Sequence, residues 1–137
     1  MLNPLVQIFL NFDGRCEEAV EFYRTALNAK VDTLMRFKEN PEAGPCAPGD
    51  ENKILYSSFR IGETTLMASD CHGDCETAFQ GFSLSLTMPD ETEAGRLFAV
   101  LADGGQVQMP LGKTFWSPCF GVVSDRFGMS WMVSVMP

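Results

Sequence analysis

One pattern occurs twice along the 137-residue chain, and it limits what the chain can fold into. Apolar residues recur at helical spacing from about residue 15 to 27 and again from about residue 91 to 102. When Ala19 is aligned with Ala94, the apolar positions of the two segments coincide. Asp90 precedes the second segment at capping-box spacing from Glu93. The pattern predicts two amphipathic helices in two copies of one supersecondary unit.

Strand signals surround both predicted helices in the same order. Segments 5–11 and 81–88 precede the helices, and in the second of these Phe82, Leu84 and Leu86 alternate with polar residues. Segments 30–37, 54–61 and 64–69 follow the first helix, and segments 106–109, 118–124 and 129–136 follow the second. The order is β-α-β-β-β twice. It predicts one domain made of two modules, about residues 1–70 and 79–137, with an irregular proline- and glycine-rich loop at 39–52.

Composition and charge exclude several classes of protein. The chain is 45% hydrophobic and 20% charged, which is typical of a globular domain able to bury a core. Its net charge of −8 argues against nucleic-acid and anionic-membrane partners, because both need clustered Lys and Arg. No segment approaches the roughly 20 apolar residues of a membrane span, and the first residues lack a basic region. With five irregularly spaced cysteines, the chain is expected to be a cytoplasmic protein with reduced thiols.

Short motifs spread over nearly the whole chain carry a resemblance to a known family. They are residues 10–14, 17–23, 59–62, 66–70, 114–116, 120–125 and 127–131. In this order and spacing they resemble the PhnB-like family of the vicinal oxygen chelate superfamily, which includes glyoxalase I, bleomycin-resistance proteins and extradiol dioxygenases. The resemblance implies an α+β fold in which two βαβββ modules form curled mixed sheets around a cavity (the glyoxalase/bleomycin resistance/dioxygenase fold). It also implies a homodimer.

Members of this family have been labelled demethylubiquinone methyltransferases, but the sequence does not support that activity. A nucleotide-like cofactor would need a glycine-rich loop between a strand and a helix, with an acidic residue after the next strand. No such arrangement occurs in the chain. We therefore expect no cofactor.

The resemblance also implies where a metal would lie. In metal-using members, four inward residues, two from each module, hold a divalent ion that polarises vicinal oxygens of the substrate. The matching positions are Gln7 or Phe9, Leu66 or Met67, Phe82, and Met132. Among them only Gln7 offers a donor suited to a hard metal, so the shared metal site is expected to be lost.

The same positions form a soft, apolar set that suits a flat or greasy ligand. The predicted ligand-binding residues are Gln7, Phe9, Tyr56, Met67, Phe82, Trp116, Phe120 and Met132. The alternative interpretation is a filled core, because Met and Phe on strands pack in cores more often than they line pockets. A register error of one residue would also exchange the two faces of a strand.

Other candidate sites have simpler explanations. Residues 71–75 contain two cysteines, an aspartate and the single histidine, but their spacing does not match a zinc finger. A surface loop with chance thiols is favoured there, with trace metal capture as the alternative. Cys16 opens the first helix, where the helix dipole could lower a thiol pKa, and Cys119 follows a Trp-Ser-Pro segment. Neither has an identifiable histidine partner, so catalytic residues stay unassigned.

Three functions therefore compete. The favoured one is metal-independent binding of a small apolar or aromatic molecule in a cavity between the curled sheets. The second is a lyase, isomerase or dioxygenase of the glyoxalase type with a displaced or absent metal, which rests on fold analogy alone. The third is an interaction module with a vestigial pocket.

Overall fold

A computed structural model of the chain describes residues 4–39, 49, 51–70 and 79–137. Its elements in chain order are β1 Ile8–Phe12, α1 Cys16–Leu27, β2 Lys30–Arg36, a 3-10 turn Phe37–Glu39, β3 Ile54–Ile61, β4 Thr64–Asp70, β5 Leu84–Met88, α2 Glu91–Ala102, β6 Gln106–Gly112, β7 Cys119–Ser124 and β8 Ser130–Val135. The predicted β-α-β-β-β order is present twice. The α+β class with mixed sheets is confirmed.

The chain divides into two compact units, residues 1–77 and 78–137, which have the same topology. In unit 1 the strand order is β1-β4-β3-β2, and in unit 2 it is β5-β8-β7-β6. The first strand of each unit pairs in parallel with the last one, and the other pairs are antiparallel. The duplicated sequence pattern therefore corresponds to a duplicated connectivity.

Each helix packs its apolar stripe against one side of the sheet in its own unit. Tyr23 of α1 is 1% exposed and stacks on Phe59 of β3 with ring centroids 6.1 Å apart. Phe98 of α2 lies so close to β7 that a Cβ at Gly121 would come within 2.8 Å of its ring. Both helices have 12 residues. Within the described part of the chain, no helix is long and apolar enough to cross a membrane.

Three strand ends differ from the sequence prediction by three residues each, whereas the other ends agree to within one residue. Strand β1 begins at Ile8 rather than at residue 5, and Leu5 is 79% exposed ahead of it. Strand β6 continues to Gly112 instead of ending at Met109; it is an edge strand, where proline is tolerated because one side of the strand needs no donor. Strand β5 begins at Leu84 rather than at residue 81: Gly81 has a positive φ of 83°, which takes it out of the extended backbone, and the pairing with β8 starts at Leu84 and Trp131.

Candidate functional site

Each sheet has one side packed against its own helix and an opposite side, which we call its open face. Residues paired directly across neighbouring strands project from the same side of a sheet. The strand register therefore assigns residues to the two faces. In unit 1 one cross-strand row of the open face consists of Phe9, Met67, Ser58 and Thr33.

Three predicted ligand residues share the open face of unit 1. Phe9 pairs with Met67, and Tyr56 lies two positions before Ser58 on β3 and pairs with Met35. Phe9 is 48% exposed and Tyr56 is 37% exposed, so neither ring is part of the packed core. Gln7 is exposed immediately ahead of β1.

The structure decides between the two candidate positions on β4. Leu66 pairs with the buried Phe59 and is 3% exposed, so it lies on the helix side. Met67 is its neighbour in sequence and therefore projects from the open face.

Polar groups flank the apolar centre of the open face of unit 1. They were not predicted from the sequence. The Ser69 hydroxyl donates to Oδ1 of Asn11 at 3.1 Å on the neighbouring strand. At the other end, Nε of Arg60 lies 3.0 Å from Oδ2 of Asp32 in an exposed ion pair. Both pairs join residues far apart in the chain, so their meeting depends on the strand register.

The open face of unit 2 consists of three cross-strand rows. From β5 to β6 they are Thr87, Ser134, Phe120 and Gly112; then Ser85, Met132, Val122 and Met109; and finally Ser130, Ser124 and Gln106. Two predicted ligand residues, Met132 and Phe120, lie in these rows. The hydroxyl-bearing residues were not predicted as part of the site.

Trp116 joins this face from the loop between β6 and β7. Its ring meets the ring of Phe120 edge-on at 5.3 Å and that of Phe115 at 4.7 Å. The loop is held by Ser117, whose hydroxyl donates to the Val135 carbonyl at 2.6 Å and accepts from the backbone N–H of Cys119 at 3.2 Å. Trp116 is 48% exposed, whereas Phe120 is 7% exposed.

Phe82 is not brought into the rows of the unit 2 open face. It precedes β5, is 45% exposed, and contacts the ring of Phe79 edge-on at 6.5 Å. The β5 residue that pairs with Met132 is Ser85. The place beside Met132 therefore holds a hydroxyl group instead of the expected phenyl ring.

The residues at the superfamily's metal positions do not fit a hard divalent ion. The open faces place Phe9 beside Met67 in unit 1 and Ser85 beside Met132 in unit 2. A phenyl ring has no donor, thioethers are soft ligands, and neither replaces imidazole or carboxylate. In residues 4–39, 49, 51–70 and 79–137, no group of three or more His, Cys, Asp or Glu side chains could hold a metal. The 71–75 cluster lies outside the described residues, and the expected absence of a resident metal stays a prediction.

Cys16 lies in a setting that opposes reactivity. It is the first residue of α1 and is 0% exposed, with its Sγ 3.8 Å from the Ser57 hydroxyl oxygen. Burial raises the pKa of the Cys16 thiol from its ordinary value of 9.0 to about 12, and the hydrogen bond with Ser57 offsets only part of that rise. At neutral pH the group is a neutral thiol and not a nucleophile.

Known proteins match this chain over almost its full length. Residues 5–134 match the model of the 3-demethylubiquinone-9 3-methyltransferase family. The chain is 31% identical over 136 residues to protein YjdN from Escherichia coli K12, covering 93% of this chain and 92% of that protein. The crystal structure of protein PA1353 from Pseudomonas aeruginosa matches with a TM-score of 0.87 and 98% of both chains covered, and its sequence is 38% identical to this chain. A PhnB protein from Bacillus cereus is 28% identical, with 96% of this chain and 99% of that chain covered and a TM-score of 0.82.

More distant structures define the fold. A glyoxylase/bleomycin resistance protein/dioxygenase domain from a Frankia species superposes with a TM-score of 0.70 at 13% identity, covering 100% of both chains. The chain therefore has the fold of the glyoxalase/bleomycin resistance/dioxygenase domain. Among proteins with this fold, it belongs to the 3-demethylubiquinone-9 3-methyltransferase family, also called PhnB-like.

Proposed function

We propose that the chain binds small apolar or aromatic molecules against the open faces of its sheets, without a metal ion. The observation that carries this proposal is the partial exposure of large apolar side chains there. Phe9 and Trp116 are each 48% exposed, and Tyr56 is 37% exposed. A filled core would bury such rings, whereas a flat ligand laid against them removes apolar surface from water, worth about 25 cal/mol per Å².

Tryptophan fluorescence offers a direct test, because the two tryptophans differ in environment. Trp131 is 2% exposed, and its indole N–H donates to Oδ2 of Asp125 at 2.9 Å. Trp116 is half-exposed on the open face. A non-fluorescent nitroaromatic probe such as nitrobenzene should quench Trp116 with a saturable curve, and Trp116→Phe should abolish that signal. A linear, non-saturating curve equal to that of free tryptophan would contradict the proposal.

Edge strands of the two sheets supply matched control variants. In unit 1, Phe9 on the open face and Val31 on the helix side are 48% and 37% exposed. In unit 2, Met109 on the open face and Val107 on the helix side are 47% and 43% exposed. We expect Phe9→Ser or Met109→Ser to weaken probe binding severalfold, while Val31→Ser and Val107→Ser leave it unchanged. Equal effects within each pair would assign the losses to general destabilisation.

Two further measurements separate this proposal from an enzymatic role. Elemental analysis of protein purified without an affinity tag should give less than about a tenth of an equivalent of metal, and a chelator should leave the melting temperature unchanged. S-adenosylmethionine should likewise leave the melting temperature unchanged, although the family description names a methyltransferase. About one equivalent of metal would favour the glyoxalase-type alternative, and stabilisation by S-adenosylmethionine would favour methyl transfer.

We also propose that the chain forms a homodimer and works in the cytoplasm. The edge strands β2 and β6 support dimerisation, because within the described residues each has a strand neighbour on one side only. Light scattering at micromolar concentration should give twice the 15.1 kDa chain mass. A monomer at that concentration would refute the dimer. Detection of the protein in fractionated cells tests its location.

A further inference from the structure

The open face of unit 2 changes character across its width. Toward β6 and β7 it is apolar, with Phe120, Val122 and Met109. Toward β5 and β8 it carries the hydroxyl groups of Ser85, Thr87 and Ser134. Met132 lies between the two halves, in the row that runs from Ser85 to Met109. Because neighbouring strands lie about 4.8 Å apart, the change occurs over a distance of about 10 Å, comparable to a bicyclic aromatic molecule.

The hydroxyl half has unused hydrogen-bonding capacity. In the third row, Ser130 is bonded to the Ser83 hydroxyl at 2.8 Å, and Ser124 accepts from Gln108 at 2.7 Å. By contrast, the side chains of Ser85, Thr87 and Ser134 have no hydrogen-bond partner within the part of the chain that the structure describes. Ser85 and Thr87 are also exposed. Each hydroxyl can donate and accept, so the group matches a ligand hydroxyl or carbonyl.

The same face offers no charge to a ligand. Among the described residues, none of the three rows contains an ionisable side chain, although 20% of the chain is charged. Arg96 and Glu93 pair with each other on α2, and Arg126 pairs with Asp103 beyond the end of that helix. Lys113 follows Gly112 at the edge of the first row and is exposed. An ionic ligand on the rows would lose part of its hydration without gaining a counter-charge.

We infer that the open face of unit 2 selects electrically neutral ligands that join an apolar ring to a hydroxyl or carbonyl group. The ring lies over Val122 and Met109, near Trp116, and the oxygen substituent faces Ser85 and Thr87. This inference rests on the proposed function and adds to it the class of ligand. Acidic and basic aromatic molecules are rejected by desolvation and not by shape.

Four probes that share one ring system test the inference. They are naphthalene, 2-naphthol, 2-naphthoate and 2-naphthylmethylammonium, titrated into the wild-type chain at pH 7 by calorimetry. We expect 2-naphthol to bind at least tenfold more tightly than either ion, and about threefold to tenfold more tightly than naphthalene, since one hydrogen bond is worth about 0.5–1.5 kcal/mol. If either ion binds as tightly as 2-naphthol, the inference is overturned while the proposed function stands. If no probe binds, both are overturned.

Paired variants locate the hydroxyl contribution. The double variant Ser85→Ala/Thr87→Val should reduce 2-naphthol affinity to that of naphthalene and leave naphthalene affinity unchanged. Thr92→Val, on the exposed surface of α2, is the matched control and should change neither affinity. Lys113→Gln should leave the preference for 2-naphthol over 2-naphthoate unchanged. If the double variant binds 2-naphthol as tightly as the wild-type chain does, the proposed role of these hydroxyls is refuted.

Discussion

Asp70 provides the sharpest test of how unit 1 is held together. It is the last residue of β4 and is 4% exposed. Its Oδ1 accepts from the backbone N–H of Cys16 at 2.9 Å, and its Oδ2 accepts from that of Ile54 at 2.8 Å. One carboxylate therefore joins the first residue of α1, the first residue of β3 and the end of β4. Because the N-cap residue Arg15 makes no side-chain cap, Asp70 caps α1 from 54 positions along the chain.

The structure gives the size of the effect expected for Asp70→Ala. The substitution leaves two buried N–H groups without an acceptor, and each costs about 1–3 kcal/mol. It also removes a negative charge from a helix N-terminus, worth about 0.3–2 kcal/mol. We expect the free energy of unfolding to fall by roughly 2–8 kcal/mol, a large part of the 5–15 kcal/mol that is typical of a whole domain.

Asp90 provides the control, because it also caps a helix, but from a neighbouring position in the sequence and at a site exposed to solvent. Its Oδ1 accepts one hydrogen bond, from Glu93 N–H at 2.8 Å, at the exposed start of α2. Asp90→Ala should cost about 1 kcal/mol. Urea unfolding followed by circular dichroism compares the two variants, and Asp70→Asn, which keeps one acceptor oxygen, should fall between wild type and Asp70→Ala. The reasoning fails if Asp70→Ala costs no more than Asp90→Ala, or if Asp70→Asn is as stable as wild type.

Three further predictions follow from buried groups. Since burial raises the pKa of Cys16 from 9.0 to about 12, the unfolded thiol loses its proton first. Stability should therefore fall by about 1.4 kcal/mol per pH unit between about pH 9 and pH 12, a slope that Cys16→Ala should remove in urea titrations. Gly121→Ala should cost about 1–3 kcal/mol in the same assay because its Cβ would lie 2.8 Å from the Phe98 ring, and Phe98→Leu should restore part of the loss. Trp131→Phe leaves Oδ2 of Asp125 without the indole donor at 2.9 Å and should lower the melting temperature by several degrees; an unchanged melt would refute that role.

The two helices were predictable from the sequence, because their apolar residues recur at helical spacing. Helix α2 has the predicted bounds, and α1 begins one residue later than expected, at Cys16. Helical spacing and the cap at Asp90 act within a few residues, so a single segment contains the information. The start of β5 was not predictable in this way. Alternation continues back to Phe82, but the ladder begins where β8 offers a partner, at the Leu84 and Trp131 pair.

The groups that fix the turns and helix ends were missed for a related reason. Asp125 lies between two predicted strands, where the sequence assigns it no role, yet its carboxylate accepts from the backbone N–H groups of Phe127 and Met129 and from the Trp131 indole. The contacts of Asp70 span still longer separations. Nothing in the neighbouring sequence distinguishes such a carboxylate from a solvated one, because its partners arrive only when the strands pair.

The candidate site shows which conclusions depend on strand register. At β4 the choice lay between Leu66 and Met67, and pairing of Leu66 with buried Phe59 decided it. In unit 2 the register replaces the expected Phe82 by Ser85 beside Met132. The absence of imidazole and carboxylate from the positions in β4 and unit 2 holds in either register, because none of Leu66, Met67, Phe82, Ser85 and Met132 carries one. The polarity of the ligand does depend on register, since a shift of one position exchanges hydrocarbon for hydroxyl. A preference for 2-naphthol over naphthalene therefore tests the register of β5 as well as the class of ligand.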